Sequence, residues 1–129
     1  MAKQFLLDTN TVIYYLNSTL PRKSLDLLDI SLVNACNISV ITKIEVLGWE
    51  APNPADNIVY EEFIGIASIF SLSDDIVNKT IELRKNYKIK LPDAIIAATA
   101  MVENLILVSR NDSDFVKIQG LDYQNPFNW

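Results

Sequence analysis

Residues 105–109 read Leu-Ile-Leu-Val-Ser, four apolar positions in succession without polar alternation. A strand with one wet face alternates, because successive side chains point to opposite faces of the sheet. An unbroken apolar strand needs cover on both faces, which is the usual situation of a parallel strand between layers of helices. Two other segments read as strands, the short buried "KQFLL" at 3–7 and the β-branched "NISVI" at 37–41. "IFSL" at 69–72 and "LDYQNPF" at 121–127 are weaker strand candidates.

Helical patterns fill the intervals. The first runs from about Asn10 to Leu16, and Pro21 then breaks the chain. Leu25, Leu28, Leu32 and Ala35 recur at helical spacing. A third helix starts near Thr42 and ends before Pro52. A fourth is expected over 54–69, with Ile58, Phe63, Ile66 and Ile69 near one face. Ser73 is placed to cap the next, whose first turn is acidic and whose end gathers Arg84, Lys85 and Lys88, as a helix dipole favours. "LPDAIIAATAMVENL" begins with Pro92 in the first turn. "NDSDFVKI" reads as a short helix or turn. Strands alternating with helices predict an α/β fold with a parallel sheet and helices on both faces. At 129 residues, one domain over 1–129 is expected.

Composition removes several chemistries. The chain has no histidine, which excludes Ser-His-Asp triads and His-bearing zinc sites. The lone Cys36 has no intramolecular disulfide partner and lies in a mostly apolar stretch, so it reads as a buried thiol in a reducing compartment. Three glycines leave no candidate for a P-loop. The N-terminal apolar run is too short for a signal peptide, and nothing approaches the ~20 residues that span a bilayer. A cytoplasmic protein with no membrane association is expected. The net charge of −5 argues mildly against nucleic-acid binding, unless the acids are gathered to hold cations.

The acids are gathered. Asp8 follows the first strand, and Asp112 and Asp114 follow "LILVS". Glu45 lies early in the helix after "NISVI", and Asp93 begins the helix before "LILVS". In a parallel sheet these places share one edge, where ligands of such folds bind. Each acid also has an ordinary explanation: a helix cap for Asp8, a dipole contact for Asp93, a solvated face for Glu45, a polar turn for Asp112 and Asp114. Asp8 can cap its helix, or Asn10 can do so while Asp8 points elsewhere. Their coincidence at one edge favours a shared purpose. Carboxylates without nitrogen or sulfur ligands suit Mg²⁺ or Mn²⁺, and the chemistry expected is phosphodiester hydrolysis.

The blocks "LLDTN" at 6–10, "TKIEVL" at 42–47, "LPDAIIAATA" at 91–100 and "LVSRNDSDF" at 107–115 resemble the PIN-domain nucleases, most closely the VapC-type toxins of toxin–antitoxin pairs. That resemblance implies a three-layer α/β/α sandwich with a central, mostly parallel sheet, and a Mg²⁺- or Mn²⁺-dependent endoribonuclease that leaves a 5′-phosphate and a 3′-hydroxyl. Carried over by position, Asp8, Glu45 and Asp93 match the three main catalytic and metal-binding acids. For the fourth place Asp114 is preferred, Asn111 is kept as a polar neighbour, and Asp112 comes third. Thr9 and Ser109 match hydroxyls beside the metal or a phosphate, and Asn10 adjoins them. Lys43 and Arg110 flank the acidic blocks as candidate RNA contacts. The run Arg84, Lys85, Lys88, Lys90 is read first as a dipole-complementing helix end. The resemblance further implies a homodimer and a small protein antitoxin, for which Tyr14, Tyr15, Leu16 or Trp49 could offer apolar surface. Two other readings compete: a PIN-like module that binds RNA or protein without cutting, and a phosphatase or receiver-like fold with an acid after a strand.

Overall fold

A computed structural model describes residues 3–129; residues 1 and 2 of the expected domain lie outside the described part. Five strands form one sheet: β1 (Phe5–Leu7), β2 (Asn37–Ser39), β3 (Ser68–Phe70), β4 (Ile106–Val108) and β5 (Tyr123–Gln124). Their order is β3-β2-β1-β4-β5 and every pairing is parallel. From β1 the chain steps outward to β2 and β3, then crosses back over β1 to β4 and β5. The direction of winding therefore reverses between β1 and β4, and the crevice beyond their carboxyl ends is the place such sheets reserve for ligands. This order differs from the 2-1-3-4-5 of receiver-like folds, which removes the receiver part of that reading.

Among the described residues seven α-helices connect the strands: α1 (Thr9–Leu16), α2 (Arg22–Asn34), α3 (Val40–Gly48), α4 (Pro54–Ile66), α5 (Asp74–Asn86), α6 (Leu91–Val102) and α7 (Asp112–Phe115). The strand alternation sorts the core into two layers. Leu6 and Leu107 join Ile76, Leu83, Phe115 and the buried residues of α6 on one face. Leu7 and Val108 join Val12, Leu28, Val46, Tyr60, Phe63 and Ile64 on the other. The three-layer α/β/α sandwich expected from the sequence is the observed architecture. Among the described residues no helix is long and apolar enough to cross a membrane.

Helix α6 is buried at every position from Ala94 to Ala100. Its alanines let it lie close against both sheet and α5, so its first turn is held rigidly at the sheet edge. Cys36 is buried as expected, and burial pushes its thiol up to about 11, leaving it unreactive.

Local expectations differ from the structure at several points, among them a strand over 121–127 that is only Tyr123–Gln124, followed by a 3-10 turn at Pro126–Asn128. The strand at 37–41 stops at Ser39, because its hydroxyl accepts from the Ile41 amide (3.1 Å) and starts α3 early. Helix α4 ends at Ile66 rather than 69; Ala67 is extended, and the Ser68 amide donates to the Cys36 carbonyl (2.7 Å) as β3 begins. The buried stripe of α4 is Tyr60, Phe63 and Ile64, whereas Ile58 and Ile66 are 60% and 79% exposed. Apolar residues on two sides of one helix make the inward face ambiguous from spacing alone, and the aromatic pair decided it.

Candidate active site

Register places the first two components. Leu7 pairs with Val108, so Asp8 and Ser109 emerge side by side one residue beyond the strand ends. The Ser109 hydroxyl donates to Asp8 Oδ2 at 2.5 Å. Asp8 Oδ1 accepts from the Thr11 amide at 2.9 Å, which makes Asp8 the N-cap of α1. Asn10 is not the cap; the helix already begins at Thr9. Asp8 therefore combines capping with a place at the crevice, each oxygen taking one protein hydrogen bond. It is buried, and desolvation raises its pKa against the opposing effect of the bonds from Ser109 and Thr11. Thr11 secures the corner further by donating its hydroxyl to the Val108 carbonyl at 3.0 Å.

Glu45 comes from the second turn of α3, which packs against α1. The Thr9 hydroxyl donates to Glu45 Oε1 at 2.6 Å, and Thr42, one turn before Glu45, lies 3.2 Å from the same Thr9 oxygen. Asp93 is the third residue of α6 and only half-buried. Its pKa is pushed up to about 6, first by desolvation and then by the nearby charges of Asp114, Asp8 and Glu45; Lys90 opposes the shift. Asp8, Thr9, Asn10, Glu45, Asp93 and Ile96 line a cavity of about 100 Å³.

Asp114, from α7, lies outside this cavity's lining, but its charge reaches Asp93. Its Oδ2 accepts from Asn111 Nδ2 at 2.7 Å, and the Asn111 amide donates to Ser109 Oγ at 3.0 Å. A hydrogen-bonded chain thus runs from Asp8 through Ser109 and Asn111 to Asp114. Asp112 is drawn elsewhere: it accepts from the Tyr123 hydroxyl and from Asn125 Nδ2 (3.2 Å) beside β5. Arg110 lies over the Phe127 ring, 4.1 Å from its centroid, with Tyr14 at 6.0 Å. Lys43 is exposed on α3. Tyr14, Tyr15 and Leu16 are half-buried against the core, whereas Trp49 stays partly exposed on the Tyr60 ring.

The donors suit a hard cation. All are oxygens, and their mutual repulsion at Asp93 is the kind a divalent ion relieves. Among the described residues no group of three or more acids is gathered closely enough to hold a metal ion by itself. An ion that keeps several waters, as Mg²⁺ does, asks for no such cage. The sequence reading missed Thr11, Thr42 and Lys117. A threonine three residues after a capping aspartate, and another three before the helix glutamate, were the available signals for the first two.

The PIN domain model matches residues 5–121. No curated relative matches the sequence significantly. Among solved structures, a chain of a toxin-antitoxin complex from Klebsiella pneumoniae is 32% identical, with TM-score 0.74 and coverage of 95% of this chain and 98% of that one. DNA-bound VapBC from Salmonella typhimurium matches at 26% identity and TM-score 0.80, covering 97% and 99%. VapBC2 from Rickettsia felis, bound to a DNA fragment from their promoter, matches at 26% identity and TM-score 0.78, covering 94% and 97%.

Proposed function

This chain belongs to the PIN-domain family, and from that premise we propose that residues 1–129 form a cytoplasmic, metal-dependent endoribonuclease, the toxin of a toxin–antitoxin pair. The observation that carries this is the shared lining of one cavity by Asp8, Glu45 and Asp93 at the β1–β4 switch point, with Asp114 near enough to help raise Asp93 to about 6. Asp8, Glu45, Asp93 and Asp114 would hold Mg²⁺ or Mn²⁺. When bound, the ion supplies Lewis-acid stabilisation of charge on a phosphoryl oxygen and lowers the pKa of water.

The protein's own groups fix the geometry. Ser109 holds Asp8, Thr9 holds Glu45 and Asn111 holds Asp114. Three of the four acids therefore arrive with orientation set by a neighbour, which is what accurate positioning requires. Asp93, half-exposed and easily protonated, is the acid best placed to exchange a proton with solvent water. In the reaction a water oxygen attacks phosphorus, the bond from phosphorus to the 3′-oxygen breaks, and a proton passes to that oxygen. The products are a 5′-phosphate and a 3′-hydroxyl. Asn10 lines the cavity and Lys43 lies exposed on the same helix as Glu45, both available to the substrate.

Partner contacts are supported by apolar side chains left outward, notably Val33 of α2 at 84% exposure and Ile58 and Ile66 of α4. These are better candidates for an antitoxin or a second copy than Tyr14, Tyr15 and Leu16, which the core engages. The direct test is cleavage of RNA by purified protein with Mg²⁺, with Mn²⁺ and with chelator. Asp8→Asn should abolish cleavage while the protein stays folded. A variant that cuts as fast as the parent sinks the assignment.

A further inference from the structure

Next to the acidic cavity lies a second one of opposite sign. Arg84, Lys88, Ile89, Lys90, Asp114 and Lys117 line an open groove of about 550 Å³. The chain carries 11 basic residues against 16 acidic ones, yet four of the basic residues share this groove with a single acid. The groove's Asp114 and Lys90 are near enough for their charges to act on Asp93 in the wall of the acidic cavity.

Helix-end electrostatics does not account for this. Only Arg84 and Lys85 belong to the last turn of α5. Lys88 and Lys90 lie beyond the helix, and Lys117 follows α7, 29 residues after Lys88. Lys117 is brought in by donating its Nζ to the Lys88 carbonyl at 3.0 Å. The side-chain ion pairs among the described residues are Lys3–Asp122, Arg22–Asp26 and Lys79–Glu82, none of which uses a groove cation. Cations from three segments thus converge without an ion-pair partner among the described residues, at a cost in mutual repulsion that an anionic ligand would offset.

The lining also describes the ligand. The groove has no aromatic side chain on which a base could stack, and its cations are mostly lysines, which act as point charges toward phosphate. We propose that this groove is a phosphate track, holding the backbone of single-stranded RNA on the Asp114 side of the acidic cavity without reading its bases. The inference rests on the nuclease reading and adds to it where the substrate runs. Its sign explains how a protein of net charge −5 presents phosphate to a cluster of carboxylates.

The test uses full-length protein, Mg²⁺ and single-stranded RNA oligonucleotides of two unrelated sequences, with kcat and KM measured across salt concentrations. Lys88→Gln/Lys117→Gln is compared with Lys85→Gln, which removes a charge from the same helix end outside the groove. The double variant should raise KM on the order of tenfold for both RNAs and leave kcat nearly unchanged. It should also flatten the log–log salt dependence by about 1.4, at ~0.7 per phosphate contact on single strands. Lys85→Gln should match the parent. Arg84→Gln provides a second groove variant should the double change unfold the protein. Equal behaviour of groove and control variants overturns the track. So does loss of binding to an oligoglutamate peptide with RNA kinetics unchanged, which would make the groove a peptide site. If the parent fails to cut RNA at all, the nuclease reading falls. Fluorescence anisotropy with the same RNAs then decides the track separately: salt-sensitive binding lost only in groove variants supports it, and binding indifferent to them refutes it.

Discussion

Two acids at the same sheet edge live under opposite conditions. Asp8 is built into the fold: buried at the end of β1, it caps α1 through one oxygen and receives Ser109 through the other. Asp93 stands on the wall of the cavity, half-exposed, with Asp114, Asp8 and Glu45 all raising its pKa. Burial raises both pKa values; at Asp8 hydrogen bonds oppose part of the rise, whereas at Asp93 three neighbouring acids add to it and only Lys90 opposes. Asp8 therefore offsets part of its burial penalty through two hydrogen bonds that the fold uses. Asp93 shows no such bond among the described residues, and its charge works against the stability of the free protein until a cation arrives. Activity needs both, so stability measurements separate them where activity cannot.

The largest expected effect is on Asp8. Asp8→Ala should reduce cleavage by at least ~10²-fold, the scale of losing one electrostatic stabiliser. It should also destabilise the metal-free protein by roughly 2–3 kcal/mol, from a lost cap and an unpaired buried hydroxyl. Asp93→Asn should lose comparable activity yet leave the metal-free Tm unchanged or higher, because it removes a repelled charge. Thermal melts in chelator check this. If the two variants lower Tm equally, the contrast is wrong.

The next effect is one of pH. Asp93 has a folded pKa of about 6, above the usual carboxylate value of 3.8. Between those values the folded state holds more protons than the unfolded state, so stability is highest on the acid side and falls as pH rises toward 6. Above that it levels. Asp93→Asn should lessen the fall in chemical-denaturation curves recorded without metal, leaving the part due to Asp8, and saturating Mg²⁺ should reverse its sign by favouring the ionised acids. A parent protein whose metal-free stability climbs between pH 4 and 6, with no change in Asp93→Asn, would contradict the charge crowding assigned to this residue.

This division of labour was only partly legible in the sequence. The fold was readable because unbroken apolar strands such as 105–109 leave few alternatives to a parallel sheet between helices. The meeting of Asp8 with the 109–114 segment followed from both lying after neighbouring strands. The register that sets Ser109 beside Asp8 did not, since strand neighbours and their alignment depend on pairing across about a hundred residues. Likewise the choice among Asn111, Asp112 and Asp114 was open, because three polar residues in one turn differ only in what each finds to bond. Asp112 found Tyr123 and Asn125, and Asp114 found Asn111. Arg110 looked like a free cation until Phe127, 17 positions along the numbering, supplied a ring for it. Lys117 carried no local signal at all; only tertiary packing brings it to Lys88.

The smallest expected effects probe the hydroxyls that orient the acids. Ser109 is fully buried and joins Asp8 to Asn111, whereas Thr9 serves the exposed Glu45. Ser109→Ala should cost about 1–2 kcal/mol, because it leaves Asp8 short of a donor and the Asn111 amide short of an acceptor. It should also move the acidic limb of the pH–rate profile upward, since a bond that lowers the Asp8 pKa is gone. Thr9→Ala should cost no more than about 0.5 kcal/mol, because water can replace the hydroxyl at an exposed carboxylate. Its acidic limb should stay in place while kcat falls by a fewfold as Glu45 loses its fixed rotamer. Comparable stability losses in the two variants would mean that exposure does not set the worth of these bonds, and the distinction between a built-in and a standing carboxylate would then lose its physical basis.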